Sequence, residues 1–182
     1  MRVLLDTCVL YPTVMREVLL GCAGQGLYEA RWSPRILEEW ARAAAKLGPG
    51  EEVVARGEIA AITARFPDGA VRYDPAQEQR YWLPDPADIH VLTAAVAGSC
   101  DGILTMNNKD FPKNILSDEA LLRWEPDGFL RDLLAAAPDQ VRGVAEKVLA
   151  EANRLSEKPW TMRALMKKAR LPRFGKALEA AF

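Results

Sequence analysis

The sequence predicts an α/β fold with a mostly parallel sheet, and three observations support this prediction. Short apolar runs rich in strand-forming residues recur along the first two thirds of the chain. Helical patterns of roughly 10 to 15 residues separate these runs, as in βαβ units. Beyond about residue 137 only helical periodicity continues. We therefore expect an α/β domain over residues 1–137 and a C-terminal helical extension over residues 138–182.

The predicted strands are short and apolar. Residues 2–6 read RVLLD, and such an unbroken apolar run is typical of a central strand buried on both faces. The other predicted strands lie at 29–33, 70–74, 101–105 and within 120–126.

The predicted helices lie between these strands and after the last one. The clearest begins with Ser33 as N-cap and Pro34 as the first helical residue, and Gly48 ends it. Further helices are predicted at 13–22, 51–66, 86–97, 127–137 and 141–152, followed by two short helices separated at Pro172.

Composition limits the class of protein. The hydrophobic fraction is 49% and the net charge is −1, so overall charge indicates no partner. The three cysteines, with no C-x-x-C spacing, are typical of free thiols in a reducing compartment. No apolar run approaches the roughly 20 residues of a membrane span, and the N-terminus lacks a signal-peptide pattern. We expect a cytoplasmic protein that does not enter the membrane.

Charge is unevenly distributed along the chain. Residues 1–124 carry a net charge of −4, and residues 125–182 carry +3. Residues 154–176 contain eight basic residues and one acid, Glu157. This segment predicts contact with a polyanion or an acidic partner, and a solvated helix face is the alternative. If the polyanion is RNA, the candidate contacts are Arg163, Lys167, Lys168 and Arg170.

Acidic and polar residues recur where the predicted strands end. Asp6 closes the first strand, and Asp110 follows the strand at 101–105. Asp85 and Asp88 open the helix before that strand, where they also suit a capping role. Glu38 and Glu39 are neighbours on a helix about 100° apart, so at most one is expected to face a given site.

Carboxylates that meet at one edge of a sheet repel one another unless a cation neutralises them. Oxygen ligands without Cys or His spacing favour Mg²⁺ or Mn²⁺ over zinc. Such a site is suited to metal-assisted hydrolysis of a phosphodiester bond.

Four segments, in this order and spacing, resemble the PIN-domain ribonuclease family, and within it the VapC-type toxins of toxin–antitoxin pairs. They are LLDTCVL at 4–10, SPRILEEW at 33–40, DPADIHVLTAA at 85–95 and ILTMNNKDFP at 103–112. The resemblance implies a three-layer α/β/α fold and an endoribonuclease that uses Mg²⁺ or Mn²⁺ and leaves 5′-phosphate and 3′-hydroxyl ends. It also implies an RNA substrate, a cognate antitoxin and a homodimer.

The resemblance assigns roles to individual residues. The four metal-binding acids are Asp6, Glu39, Asp88 and Asp110, and Glu39 is chosen over Glu38 because Trp40 follows it. The residues expected to support these acids are Thr105, Asn107 and Asp85.

Two positions depart from the family pattern. Many relatives have Asn at the position of Cys8, and a thiol is expected to orient the first acid less firmly. Many have Asp at the position of Asn107, and its absence predicts a single tightly held metal. These departures keep a second hypothesis open, a catalytically silent PIN scaffold that binds RNA or a protein. A third alternative is a haloacid-dehalogenase-like phosphatase. That class of enzyme needs Asp at position 8, where this chain has Cys.

His90 is the only histidine and lies two residues after Asp88. A role as general base is one interpretation. Because side chains two residues apart diverge on a helix, we instead expect His90 to pack near the site or to satisfy a backbone group.

Overall fold

A computed structural model describes residues 1–180 of the chain, which form two compact units. The first contains Met1–Tyr11 and Glu29–Trp124. The second contains Pro12–Tyr28 and the described residues from Glu125 onward. The domain boundary near residue 137 stays a prediction, and residues 181 and 182 of the predicted extension lie outside the described residues.

The first unit contains a four-stranded, fully parallel sheet. Its strands are β1 (Arg2–Leu5), β2 (Glu29–Arg31), β3 (Gly102–Leu104) and β4 (Leu122–Trp124), in the spatial order β2-β1-β3-β4. Val3, Leu4 and Leu5 of β1 are completely buried, as the unbroken apolar run predicts. The sheet is flanked by helices, so the predicted α/β class with a mostly parallel sheet is confirmed.

The close approach of β3 and β4 depends on a glycine. A Cβ atom at Gly102 would overlap the carbonyl oxygen of Leu122 and the ring of Trp124. A side chain at this position would push the two strands apart.

The helices of the first unit follow their capping signals. They are α1 (Thr7–Leu10), α3 (Pro34–Ala45), α4 (Glu51–Arg65), α5 (Ile89–Ala97) and α6 (Lys113–Asp118). The Ser33 hydroxyl caps α3 by accepting a hydrogen bond from the Ile36 N–H at 3.2 Å. Most of α5 is buried, which brings its first turn into the interior.

The second unit is helical within the described residues. It contains α2 (Thr13–Gly24), α7 (Pro126–Ala136), α8 (Pro138–Arg154), α9 (Met162–Lys168) and α10 (Pro172–Ala180). The Asp127 carboxylate accepts hydrogen bonds from the backbone N–H groups of Arg173 and Phe174, which fixes the start of α10. None of the helices described for residues 1–180 is both long and apolar enough to span a membrane.

Two predicted elements differ from the structure. The strand predicted at 70–74 is wrong: only Ala70 forms a bridge, with Trp32, because β2 ends at Arg31 and leaves no strand alongside. The helix predicted at 86–97 begins instead as a short 3₁₀ turn, Pro86–Asp88, in which the Asp88 N–H bonds to the Asp85 carbonyl. A second 3₁₀ segment, Pro75–Arg80, and the short helices α1 and α6 were not predicted.

Candidate metal centre

The switch point of the sheet lies between β1 and β3. The chain passes from β1 to β2 on one side, and β3 pairs with β1 on the other side. In open α/β sheets ligands bind outside the carboxyl ends of the strands at such a point. Asp6 directly follows β1, and Thr105 directly follows β3. The topology therefore joins two side chains that lie 99 residues apart in the sequence.

Asp6 is buried and held by two side-chain donors. Its Oδ2 accepts hydrogen bonds from Thr105 Oγ1 at 2.7 Å and from Cys8 Sγ at 3.1 Å. Burial, together with the charge of Asp6, raises the pKa of the Cys8 thiol to about 12, so the thiol keeps its proton at neutral pH. Cys8 Sγ also accepts a hydrogen bond from the Met106 N–H at 3.2 Å. Cys8 therefore supplies a fixed donor to Asp6 despite its departure from the family pattern.

Three further carboxylates come together near Asp6. Asp85, Asp88 and Asp110 each offer an oxygen, and these oxygens all lie within 4.8 Å of one another. Burial, with the charges of Asp6, Asp85 and Asp110, raises the pKa of Asp88 to about 6. The carboxylates thus concentrate negative charge at the carboxyl edge of the sheet.

Thr105 and Asn107 connect the acids of the site. Asn107 Nδ2 donates to Asp88 Oδ2 at 3.0 Å, and the Asn107 backbone N–H donates to Thr105 Oγ1 at 2.9 Å. Because Thr105 also donates to Asp6, one short segment after β3 orients two acids. Asp85 also caps the 3₁₀ turn, since its Oδ1 accepts from the Ala87 N–H at 2.9 Å.

Glu39, on α3, is bound by donors on both of its oxygens. Oε2 accepts from Thr7 Oγ1 at 3.1 Å, whereas Oε1 lies 2.9 Å from His90 Nε2 and 3.6 Å from Arg35 Nε. Burial of Glu39 opposes ionisation, but hydrogen bonds from His90 and Thr7 and the charge of Arg35 hold its pKa below the ordinary value. Its neighbour Glu38 pairs with Arg42 and Arg56 instead, so the two glutamates diverge.

Neither Thr7 nor His90 was predicted to contact Glu39. His90 is 1% exposed and binds a side-chain carboxylate, where we expected simple packing or a contact with a backbone group. The contact joins residues far apart in the sequence, so no spacing rule could have found it. The available signals were the position of Thr7 directly after Asp6 and that of His90 two residues after Asp88.

The residues present fit a hard divalent cation. The site offers carboxylate oxygens, which Mg²⁺ and Mn²⁺ prefer. The pKa of Asp88 is raised by burial and then by the negative charges of Asp6, Asp85 and Asp110, and a cation would offset those charges. The structure places Asp85 with Asp88 and Asp110, whereas Asp6 and Glu39 lie outside this three-carboxylate group among the described residues. The assignment of individual ligands stays a prediction.

An exposed aromatic side chain lies close to this site in the sequence. Trp82 is 66% exposed, and it is the only exposed aromatic residue among residues 1–180. The next residue, Leu83, is completely buried, and Asp85 follows two positions later. The buried leucine anchors the segment, so Trp82 is presented to solvent within a few residues of the carboxylates.

In the helical unit, the four basic residues suggested for RNA contact differ in their surroundings. Arg163 pairs with Glu179 at 3.2 Å, and Lys168 Nζ lies 4.7 Å from the centroid of the Trp160 ring. Lys167 and Arg170 are exposed and have no ion pair within the part of the chain that the structure describes. Arg170 also adopts a positive φ of 62°.

A family model described as PIN domain matches residues 2–109, well over half of the chain. The chain belongs to the PIN domain family. PIN domains are typically metal-dependent nucleases, and the carboxylate cluster of this PIN domain is compatible with that chemistry. The match includes Asp6, Glu39, Asp85 and Asp88 and ends one residue before Asp110. No curated protein and no solved structure matches the chain significantly.

Proposed function

We propose that this PIN domain protein is a metal-dependent endoribonuclease that hydrolyses RNA phosphodiester bonds with Mg²⁺ or Mn²⁺. The observation that supports this proposal most directly is the proximity of Asp85, Asp88 and Asp110 at the carboxyl edge of a PIN domain sheet. As the sequence resemblance implies, the products carry 5′-phosphate and 3′-hydroxyl ends.

The residues of the site have two roles: some would hold the cation, and others orient the carboxylates. Asp85, Asp88 and Asp110 would hold the cation, with Asp6 and Glu39 beside them. When bound, the cation supplies Lewis-acid polarisation of the phosphate and lowers the pKa of water. Thr105, Cys8 and Asn107 orient Asp6 and Asp88 through the hydrogen bonds described above.

RNA is the substrate that the exposed side chains of the chain support best. An exposed tryptophan offers a face on which a nucleobase stacks, and Trp82 lies three residues before Asp85. Arg163, Lys167, Lys168 and Arg170 provide cations for backbone phosphates.

The direct test is cleavage of RNA by the purified protein with Mn²⁺, followed by sequencing of the 5′ ends. Asp6→Asn and Asp88→Asn are expected to lower the rate by about 100-fold or more, because metal-assisted charge stabilisation is worth several kcal/mol. Asp132→Asn, at an exposed position on α7, is the matched control and should cleave normally. Wild-type rates in both site variants would refute the proposal.

A catalytically silent scaffold makes a different prediction for metal uptake. The nuclease is expected to bind Mn²⁺ in calorimetry, and Asp88→Asn should abolish or weaken this binding. The hydrogen bond from Cys8 to Asp6 favours the nuclease, because Asp6 stays oriented even though this chain departs from the family pattern at position 8. Folded protein without Mn²⁺ uptake would favour the scaffold.

We further propose that the nuclease is the toxin of a VapC-like pair and acts in the cytoplasm. Its inhibitor would be a cognate antitoxin encoded by a neighbouring reading frame, and the toxin itself would form a homodimer. Support comes from the four ordered sequence segments. Co-expression with the neighbouring small protein should relieve growth arrest and yield a stable complex, whereas expression without growth arrest would argue against the toxin role.

A further inference from the structure

The imidazole of His90 occupies an unusual place for a polar ring. It is 1% exposed, on a helix whose neighbouring side chains Val91 and Leu92 are also fully buried. An apolar residue would avoid the cost of burying a polar group at this position. We therefore expect the buried imidazole of His90 to have a role other than packing.

The hydrogen bonding of His90 points to one partner. Its Nε2 lies 2.9 Å from Glu39 Oε1, and because a carboxylate only accepts, Nε2 carries the proton that is shared. The other nitrogen, Nδ1, is buried and has no hydrogen-bond partner among residues 1–180. Within that part of the chain, Glu39 is the only hydrogen-bond partner of the imidazole.

Glu39 needs such a contact to keep one orientation. Its side chain is half-exposed and has several rotatable bonds, so fixing it costs conformational entropy. Arg35 reaches Oε1 only at 3.6 Å and is itself bound to Glu78 on the protein surface. His90 on Oε1 and Thr7 on Oε2 therefore provide the two short contacts that hold the carboxylate from the interior.

These two donors also connect Glu39 to the other acids. Thr7 directly follows Asp6, and His90 lies two residues after Asp88. Each contact on Glu39 thus comes from a segment that carries another carboxylate of the site. Movement of Glu39 relative to Asp6 and Asp88 would break one of these hydrogen bonds.

We propose that His90 is a positioning residue, which holds the Glu39 carboxylate in the orientation that the metal centre requires. This inference rests on the proposed nuclease function. His90 acts through Glu39 and does not itself exchange a proton with the substrate.

Two substitutions of His90 by amide side chains of different length test the proposal. In His90→Gln the amide nitrogen takes the approximate place of Nε2 and can donate to Glu39, whereas His90→Asn is too short to do so. His90→Asn is expected to lower Mn²⁺ affinity in calorimetry and kcat for RNA cleavage by about 10- to 100-fold, with little change in KM. His90→Gln should stay within a few-fold of wild type.

Thermal unfolding of the metal-free proteins separates positioning from packing. A packing role lowers the Tm in both variants and gives them similar losses of Mn²⁺ affinity, and that result would overturn the proposal. Wild-type Mn²⁺ affinity and kcat in His90→Asn would overturn it as well.

A double-mutant cycle tests whether His90 acts through Glu39. In a Glu39→Gln background, His90→Asn should cause no further loss of Mn²⁺ affinity, and additive losses would overturn the proposal. Wild-type protein that binds Mn²⁺ without cleaving RNA would refute only the proposed function, and Mn²⁺ affinity would still decide the role of His90. Absence of Mn²⁺ binding would refute both.

Discussion

At the scale of the residue, Asp88 lowers the stability of the fold while it supplies a carboxylate to the candidate metal centre. Its carboxyl group is half-buried and faces the charges of Asp6, Asp85 and Asp110, so its pKa rises from 3.8 to about 6. The folded protein consequently binds more protons at Asp88 than the unfolded chain does between these two pH values. The contribution of Asp88 to the free energy of unfolding therefore falls as pH rises from about 4 to 6 and stays low above that range.

Replacing Asp88 by Asn is expected to stabilise the metal-free protein at pH 7. The neutral amide removes the repulsion while its oxygen can still accept from Asn107, and we expect a gain of about 1 to 2 kcal/mol after allowance for solvent screening. Urea unfolding from pH 4 to pH 7 measures this, and the gain should disappear near pH 4. Asp132→Asn should change stability by less than about 0.5 kcal/mol. If the Asp88→Asn protein is less stable than wild type at pH 7, charge repulsion at Asp88 does not destabilise the metal-free protein.

Trp82 carries a prediction about substrate binding. If a nucleobase stacks on its exposed ring, Trp82→Ala should raise KM for RNA by about 5- to 150-fold, which corresponds to the roughly 1–3 kcal/mol of base stacking. Trp82→Phe should retain most of the affinity, and Mn²⁺ binding should be unchanged in both. Leu47→Ala removes another exposed apolar side chain, 68% exposed, and should leave KM unaltered. Equal KM values in Trp82→Ala and wild type would refute stacking.

At the scale of elements, three helices end in the same way, with a residue other than glycine in the left-handed conformation. Ser99, Ala120 and Arg170 have positive φ values of 47°, 56° and 62° at the ends of α5, α6 and α9. After each, a backbone N–H bonds back to the last turn, as Leu121 N–H does to the Leu116 carbonyl at 2.9 Å. At these ends the residue with positive φ is therefore not a glycine, and at α5 the glycine, Gly98, stands one position earlier.

Ala120→Gly is expected to stabilise the protein by about 0.5 to 1 kcal/mol, because glycine adopts this left-handed backbone without a steric penalty. The matched control is Ala61→Gly, at an exposed position inside α4, which should destabilise by a similar amount. Both changes can be measured by chemical denaturation. The same sign of effect in the two variants would contradict the helix-end explanation.

Gly102→Ala should destabilise the sheet by about 1 to 3 kcal/mol, because the new methyl group overlaps Leu122 and Trp124 on β4. Gly128→Ala is a suitable control, since a Cβ at this helical position meets no heavy atom within 4 Å. Thermal unfolding of the two variants provides the comparison. A neutral Gly102→Ala would show that β3 and β4 can separate at little cost.

At the scale of the whole molecule, the distribution of charge predicts how RNA binding responds to salt. The chain is nearly neutral overall, but its positive charge is concentrated in residues 154–176. Contacts between this segment and phosphates would release counterions, so affinity should fall as salt concentration rises.

The pair Lys167→Gln and Arg170→Gln, combined in one protein, should weaken RNA binding and reduce the slope of log affinity against log salt by about 1 to 2. The control combines Lys46→Gln and Arg72→Gln, which removes the same charge from exposed positions in the first unit. Fluorescence anisotropy over a range of NaCl concentrations measures the slope. Equal slopes in the two double variants would show that residues 167 and 170 do not contact RNA.

Local signals in the sequence were sufficient for most of the fold. The apolar run of β1, the Ser33 cap of α3 and the periodicity of α8 depend on residues close to one another in the chain. The strand predicted at 70–74 failed because a strand also needs a neighbour, and β2 ends too early to provide one.

The sequence by itself determined the order of the four strands and of the longer helices, and the kinds of side chain at the strand ends, because propensity, capping and periodicity act over a few residues. Only the tertiary structure decided which of these side chains meet. Asp85 joins Asp88 and Asp110, Cys8 donates to Asp6, and His90 binds Glu39. Hydrogen bonds act over about 3 Å and charge repulsion over about 10 Å, and those distances are set by the packing of segments far apart in the chain.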